Sequence, residues 1–288
     1  MVCLPIRGRA RVNPEEILTS LQNPRIKTLV RLRDRRDRDR DGQFVIEGFR
    51  EISRAVEARL PLEEIFTCPE LYLGSSETEL LETAKERCGA VIWHVSREVF
   101  QKVSYRDRPD GLIARAPKPD WGLSRWDSLS SENASDQPQI FIVAQSIEKP
   151  GNLGTLLRTA DAAAVTGLMV VDRCTDLFNP NVVRASVGTL FTVPVVECSS
   201  EEGIEWFRKK EVQLVATSPD AEKVYTETDL SGSIAIVMGS EQYGLDERWL
   251  SQTDLQVSIP MAGSADSLNV AMATAIVLFE SLRQRSAR

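Results

Sequence analysis

A chain of 288 residues, 42% hydrophobic and 27% charged, has the balance of a folded protein with one large domain or two ordinary ones, and excludes a disordered or fibrous chain. No apolar run approaches the roughly 20 residues of a membrane-spanning helix. The opening MVCLPIRGRARVNPEE lacks the apolar core of a secretory signal, so a cytoplasmic protein without a membrane partner is expected.

The five cysteines (Cys3, Cys68, Cys88, Cys174 and Cys198) contain no CxxC pair, as fits reduced thiols. With a single histidine, His94 in the apolar run AVIWHV, a histidine-rich metal site is excluded and no metal is expected. His94 itself reads as a structural residue.

The net charge of −7 is unevenly spread. Residues 1–40 carry eleven Lys or Arg against five Asp or Glu, and the remainder carries twenty-four against thirty-seven. Arg7, Arg9 and Arg11 open the chain, followed by Arg25, Lys27, Arg31, Arg33, Arg35, Arg36, Arg38 and Arg40. A basic end on an acidic body suggests a phosphate-binding surface. The competing reading is a solvated helix whose Asp34, Asp37 and Asp39 pair with neighbouring arginines.

In chain order, the pattern predicts a helix over 14–36, a strand at QFVIEG, a helix at FREISRAVEARL, and short strands near 62–66 and 90–95. Together these make a small α/β domain over 1–116. The stretch 117–139, rich in Pro, Ser and Asp, reads as a linker. Over 140–288 the alternation is cleaner: strand 140–144, helix from Asn152, strand 167–171, helix near 180–190, and strand 193–196. Helix 201–210, strands 212–216, 234–238 and 255–259, and a final helix from Ser267 complete it. Such alternation implies a mainly parallel sheet covered on both faces.

Ligands bind beyond the carboxyl ends of strands in such sheets, and three polar, glycine-bearing segments fall there. The first, Glu148 to Gly154, leads into LLRTADAAAV, with Leu153, Leu156, Leu157, Ala160 and Ala164 as the buried stripe. Gly154, one turn before Arg158, would leave room for a ligand beside the guanidinium. Otherwise Asn152 is an ordinary helix cap and Arg158 pairs with Asp161. The second, Gly239-Ser240-Glu241-Gln242-Tyr243-Gly244, would let a flat ligand approach the main chain. The third runs from Pro260 to Asn269 and opens a helix with apolar positions Leu268, Ala271, Met272, Ala275, Ile276, Phe279 and Leu282. Its N-terminus would present free N–H groups to a carboxylate or phosphate; otherwise Ser267 is an ordinary cap and Asn269 a solvent-facing first-turn residue. None of the three is the GxGxxG turn of a dinucleotide site.

Jointly, NLGTLLRTADA, IVMGSEQYGL and IPMAGSADSLNVAMATAIVLFE resemble, in order, the three motifs of the SpoU/TrmH family of RNA ribose 2′-O-methyltransferases. LQNPRIKTLVRL and FVIEGFREISRAV are more loosely similar to the substrate-binding domain of its ribosomal-RNA members. The resemblance implies an α/β fold with a deep trefoil knot in the C-terminal domain, S-adenosyl-L-methionine as cofactor, a homodimer, and RNA, chiefly ribosomal RNA, as partner. It implies main-chain cofactor contacts at Gly239, Ile259 and Leu268, and a catalytic polar set of Asn152, Arg158, Glu241, Ser267 and Asn269. One departure stands out: Ser240 replaces the Asn usual in the second motif.

A ribose hydroxyl is a weak nucleophile, so such a site must orient the reactants and help remove a proton. The resemblance makes Arg158 the candidate for activating the hydroxyl; because arginine is a poor base, a hydrogen-bonding and phosphate-clamping role is the preferred reading. The alternatives are a transfer-RNA methyltransferase or a non-catalytic RNA-binding protein on the same scaffold. The intact polar set favours an enzyme, and the separate N-terminal domain favours ribosomal RNA.

Overall fold

The computed structural model describes residues 17–127 and 137–287. Arg7, Arg9 and Arg11 lie outside the described residues, as does the start of the helix expected over 14–36. That helix is in fact two short ones. Asn23 caps α1 (Pro24–Arg31), with Pro24 in its first turn, and Asp34 caps α2 (Arg35–Asp41). Leu18 instead makes a parallel bridge to Val95.

β1 (Gln43–Glu47), α3 (Phe49–Glu57), β2 (Glu64–Thr67), α4 (Glu77–Cys88), β3 (Val91–His94), α5 (Arg97–Val103) and β4 (Leu112–Pro117) complete the N-terminal unit. Its mixed sheet has the order β1-β4-β2-β3, with β4 antiparallel to both neighbours. His94 ends β3, where its carbonyl accepts from Leu18 N at 2.8 Å.

The second unit comprises β5 (Ile140–Gln145), α6 (Pro150–Ala162), β6 (Gly167–Val171), α7 (Pro180–Ala185), β7 (Val195–Cys198) and α8 (Ser200–Lys209). It continues through β8 (Gln213–Thr217), β9 (Lys223–Val224), β10 (Ile234–Met238), α9 (Glu247–Gln252), β11 (Leu255–Ser258) and α10 (Val270–Ser286). The seven strands are ordered β7-β6-β5-β10-β8-β11-β9, every pairing parallel. From β11 near one edge the chain returns to lay α10 against α6 and β10.

Each face of the large sheet has its own core. Phe141, Val143, Met169, Trp206 and Phe207 fill one. On the other, the Ile142, Leu156 and Leu157 cluster runs on into the N-terminal unit, where the Phe44 and Phe178 ring centroids are 4.7 Å apart. The two units therefore share buried apolar surface, which stabilises their mutual placement.

The described part of the 117–139 stretch is packed, contrary to the linker expected there. Trp121 and Trp126 are buried, Lys118 N donates to Gly42 O, and Glu197 N donates to Trp121 O. Isolated indoles in a polar stretch give no periodic signal, yet each removes a large apolar area from water.

Three expectations about helices also change. α6 begins at Pro150 behind Lys149, so Asn152 lies within its first turn and is not its cap. Its buried stripe stops at Ala160. Ala163 takes the place given to Ala164, which is exposed with φ 47° just beyond the helix end. α10 begins at Val270, and its cap is Asn269, which accepts from Ala271 N, not Ser267.

Candidate active site

The carboxyl ends of β8, β10 and β11 open on one side of the sheet, where Thr217, Gly239 and Ile259 line a cleft of about 670 Å³. Lys149 and Asn152 reach it from the start of α6; Met261, Ser267, Leu268 and Asn269 reach it from the segment before α10. The structure thus gathers Asn152, Gly239, Glu241, Ile259, Ser267, Leu268 and Asn269 around one cavity.

Three of these residues form a chain of hydrogen bonds. Asn269 Nδ2 donates to Asn152 Oδ1 at 2.9 Å, and Asn152 Nδ2 donates to Glu241 Oε1 at 2.6 Å. Glu241 also accepts from the main-chain N–H groups of Glu148 (3.0 Å) and Lys149 (3.2 Å). One carboxylate therefore ties the loop after β10 to the loop after β5, and the amide of Asn152 carries the tie to α10. Burial pushes the Glu241 carboxyl up, but the donors from Glu148, Asn152 and Lys149 outweigh it and hold the group below its ordinary value. Both of its oxygens are engaged by these donors.

The loop after β10 is closed by its own backbone. Ser240 and Gly244 exchange two N–H···O bonds of 3.0 Å, with Gly244 left-handed at φ 69°. A Cβ on Gly239 would collide with the Gly244 carbonyl and Leu245 N. The glycine is required by the turn itself, not by a ligand's approach.

Gly154 departs from expectation in the same way. A Cβ there would meet Ala185 and lie 2.8 Å from Ser186 N, so its missing side chain lets α6 and α7 touch and does not make room beside Arg158. Arg158 is exposed, makes no ion pair or hydrogen bond among the described residues, and lies outside the cleft lining. The pairing expected with Asp161 is absent, since Asp161 accepts from Thr192 Oγ1 at 2.7 Å.

The expected reading missed Thr217. Its hydroxyl is buried at the end of β8 with no hydrogen-bond partner among the described residues, on the wall of the cleft. An orphan of this kind is costly unless a ligand satisfies it. The rule that strand ends carry ligands could have found it in VATSP. Apolar walls from Leu245, Ile259 and Leu268, exposed main chain and this unpaired hydroxyl fit an adenosine and amino-acid ligand such as S-adenosylmethionine.

The arginines of the basic segment are largely engaged, some by carboxylates of the segment and some by groups far along the chain. Arg25 pairs with Glu64, Arg31 with Asp41, Arg35 with Asp39, and Arg40 with Asp37 and Asp41. Arg33 donates to the Lys102 and Ser104 carbonyls. Arg38 is buried against Asp176, which removes it from any phosphate-binding surface.

The large parallel sheet and this cleft define a methyltransferase of the α/β type. The SpoU rRNA methylase family matches residues 139–279, and the MRM3-like substrate binding domain matches residues 23–114. The chain is 31% identical over 260 residues to the 23S rRNA (uridine(2479)-2′-O)-methyltransferase of Streptomyces viridochromogenes, covering 88% of this chain and 87% of that protein. Among solved structures, the AdoMet-bound rRNA methyltransferase from Sinorhizobium meliloti superposes with a TM-score of 0.82 at 30% identity, over 93% of this chain and 97% of that one. An RNA 2′-O ribose methyltransferase structure superposes with a TM-score of 0.78 at 39% identity, over 94% and 100% respectively. The chain belongs to the SpoU family of RNA methyltransferases.

Proposed function

We propose that this protein transfers a methyl group from S-adenosylmethionine to a ribose 2′-hydroxyl of ribosomal RNA. The observation that carries this is the Asn269–Asn152–Glu241 chain, which joins the three motif segments at one cleft. Thr217 and the main chain at Gly239, Ile259 and Leu268 would hold the cofactor. When bound, it supplies an electrophilic sulfonium methyl. Glu241 and Asn152 are positioning residues that fix the loops, Asn269 couples them to α10, and Ser267 offers an exposed hydroxyl at the cleft mouth. Arg158, unpaired and exposed, is free to clamp the phosphate beside the target ribose with its planar fork.

The relatives' substrates and the substrate-binding match over 23–114 favour ribosomal over transfer RNA. Residues 1–116 then serve as the RNA-binding unit and 140–288 as the methyltransferase unit. A cytoplasmic site of action accords with an rRNA substrate; no described helix is long and apolar enough to cross a membrane.

A homodimer fits the outward face of α10, where Met272 and Phe279 are 57% and 50% exposed. Light scattering should give twice the 32.1 kDa chain mass; the single-chain mass at every concentration would overturn this part. The activity itself is tested by tritiated methyl transfer to total RNA with mapping of the labelled ribose. Absence of label in ribosomal RNA overturns the reading, and label confined to transfer RNA replaces it with the alternative.

A further inference from the structure

A second cleft, of about 800 Å³, lies between the N-terminal unit and the α7 end of the methyltransferase unit. Its polar groups are sorted by depth. On the floor lie Glu77 and Asp110, 3% and 7% exposed, and each has one carboxylate oxygen that is buried without any hydrogen-bond partner among the described residues. Their other oxygens are in use. Glu77 Oε1 accepts from Gly74 N at 2.8 Å and Leu73 N at 3.2 Å, and Asp110 Oδ2 accepts from Phe49 N at 2.8 Å and pairs with Arg106 Nη1 at 3.5 Å. Nε of Arg106, on the same lining, is also buried and unpartnered.

On the rim stand Arg50, Arg108 and Arg184, all exposed and none in an ion pair among the described residues. Asp107 is the exposed carboxylate beside them. Leu73, 80% exposed, adds an apolar edge.

Buried carboxylate oxygens left unpaired are costly, and their need is for donors, not for cations alone. A cationic rim above an acceptor floor matches a nucleotide, with phosphates outside and the N–H edge of an unstacked base inside. Proteins that read RNA sequence commonly take such splayed bases. Position supports the same ligand: α7 packs directly on α6 through the Gly154–Ala185 contact, and α6 carries Asn152 and Arg158.

We propose that this junction cleft is a nucleotide subsite for the RNA substrate, with Arg50, Arg108 and Arg184 on the sugar-phosphate backbone and Glu77 and Asp110 accepting from the donor edge of one unstacked base. The proposal rests on the functional reading above and names where a second part of that substrate is held. Guanine, with three N–H hydrogens on its Watson–Crick edge, suits the floor better than uracil, which has one.

The test uses the full-length protein with two fluorescein-labelled single-stranded RNA probes, twelve-residue (GU)6 and U12. Wild type should bind (GU)6 more tightly. The triple variant Arg50→Gln, Arg108→Gln, Arg184→Gln should lose at least about tenfold in affinity for both, and its log-affinity against log-salt slope should flatten by about two units for three lost contacts. S-adenosylmethionine affinity by calorimetry should not change. Glu77→Gln and Asp110→Asn keep an amide oxygen for the existing N–H partner and turn an NH2 toward the cleft, so each should erase the (GU)6 preference.

If Glu77→Gln fails to fold by circular dichroism, Asp110→Asn and the arginine variant still decide. Equal wild-type affinity for the two probes overturns the base assignment. Unchanged affinity and slope in the triple variant of an active enzyme overturn the subsite. A wild type that binds cofactor and transfers no methyl group to RNA overturns the functional reading instead.

Discussion

Arg38 of α2 donates from Nε and Nη2 to the same oxygen of Asp176, at 2.9 and 2.8 Å, with both side chains 1% exposed. Nη1 is held by the carbonyls of Leu32 and Arg33, and the other Asp176 oxygen accepts from Phe178 N at 3.0 Å. The pair bolts the arginine-rich segment to the loop after β6. Its worth lies in completeness: removing one partner strands a buried charge.

Arg38→Met should therefore lower stability by about 3–5 kcal/mol in denaturant titrations. Combining it with Asp176→Leu should restore much of that loss, since an apolar pair of similar volume leaves no charge uncompensated. Equal destabilisation by the single and double variants would mean that the ion pair is not the source.

Thr217→Val separates ligand binding from folding. The hydroxyl has no partner among the described residues, so an apolar replacement of nearly the same shape should leave thermal stability unchanged or slightly raised. Calorimetric affinity for S-adenosylmethionine should fall about tenfold, the worth of one lost hydrogen bond. Unaltered affinity would take the end of β8 out of the cofactor site.

Glu241 gives a pH signature. Folding lowers its carboxyl below the ordinary 4.5, so the stability it contributes is complete above that value and lost as pH falls through the lower folded one. Glu241→Gln sets an amide NH2 against donors from Glu148, Lys149 and Asn152. The stability gap between wild type and variant should be constant above about pH 5.5 and narrow below about pH 4.5. A gap independent of pH would show that the carboxylate's charge is irrelevant to the tie.

Arg158→Ala should abolish methyl transfer while leaving melting temperature and cofactor affinity intact, because the side chain is exposed and outside the cleft lining. Lysine should rescue poorly, since a point charge cannot grip a phosphate bidentately. Near-normal turnover in Arg158→Ala would leave the residue without a role in the reaction.

The sequence made the alternating strands of the large sheet legible because apolar runs such as IFIVA and IAIVM are buried on both faces and bounded by turns. The three ligand-facing loops were legible from their place after those strands. α4, α5, α9, β4 and β9 leave no readable signal, being short or weakly periodic. The reasons for Gly154 and Gly239 were misassigned for a common cause: close approach between distant backbone segments leaves no local trace. Arg38 looked like its exposed neighbours because Asp176 lies 138 positions away. The Asn152–Glu241–Asn269 link was invisible as a link, although each residue was singled out.

The indole of Trp126 rests where Gly167 has no side chain, 2.5 Å from the position of a Cβ there, so this residue belongs to the methyltransferase sheet. Pro117, only nine positions earlier, ends β4 of the other sheet. A connection pinned at both ends, and again by the Trp121 carbonyl, gives the two units little freedom to swing. The molecule is then built as a fixed caliper. For an RNA gripped at both clefts, the span between the recognised nucleotide and the methylated ribose is a dimension of the protein, and a misplaced target fails by distance even when its sequence is right.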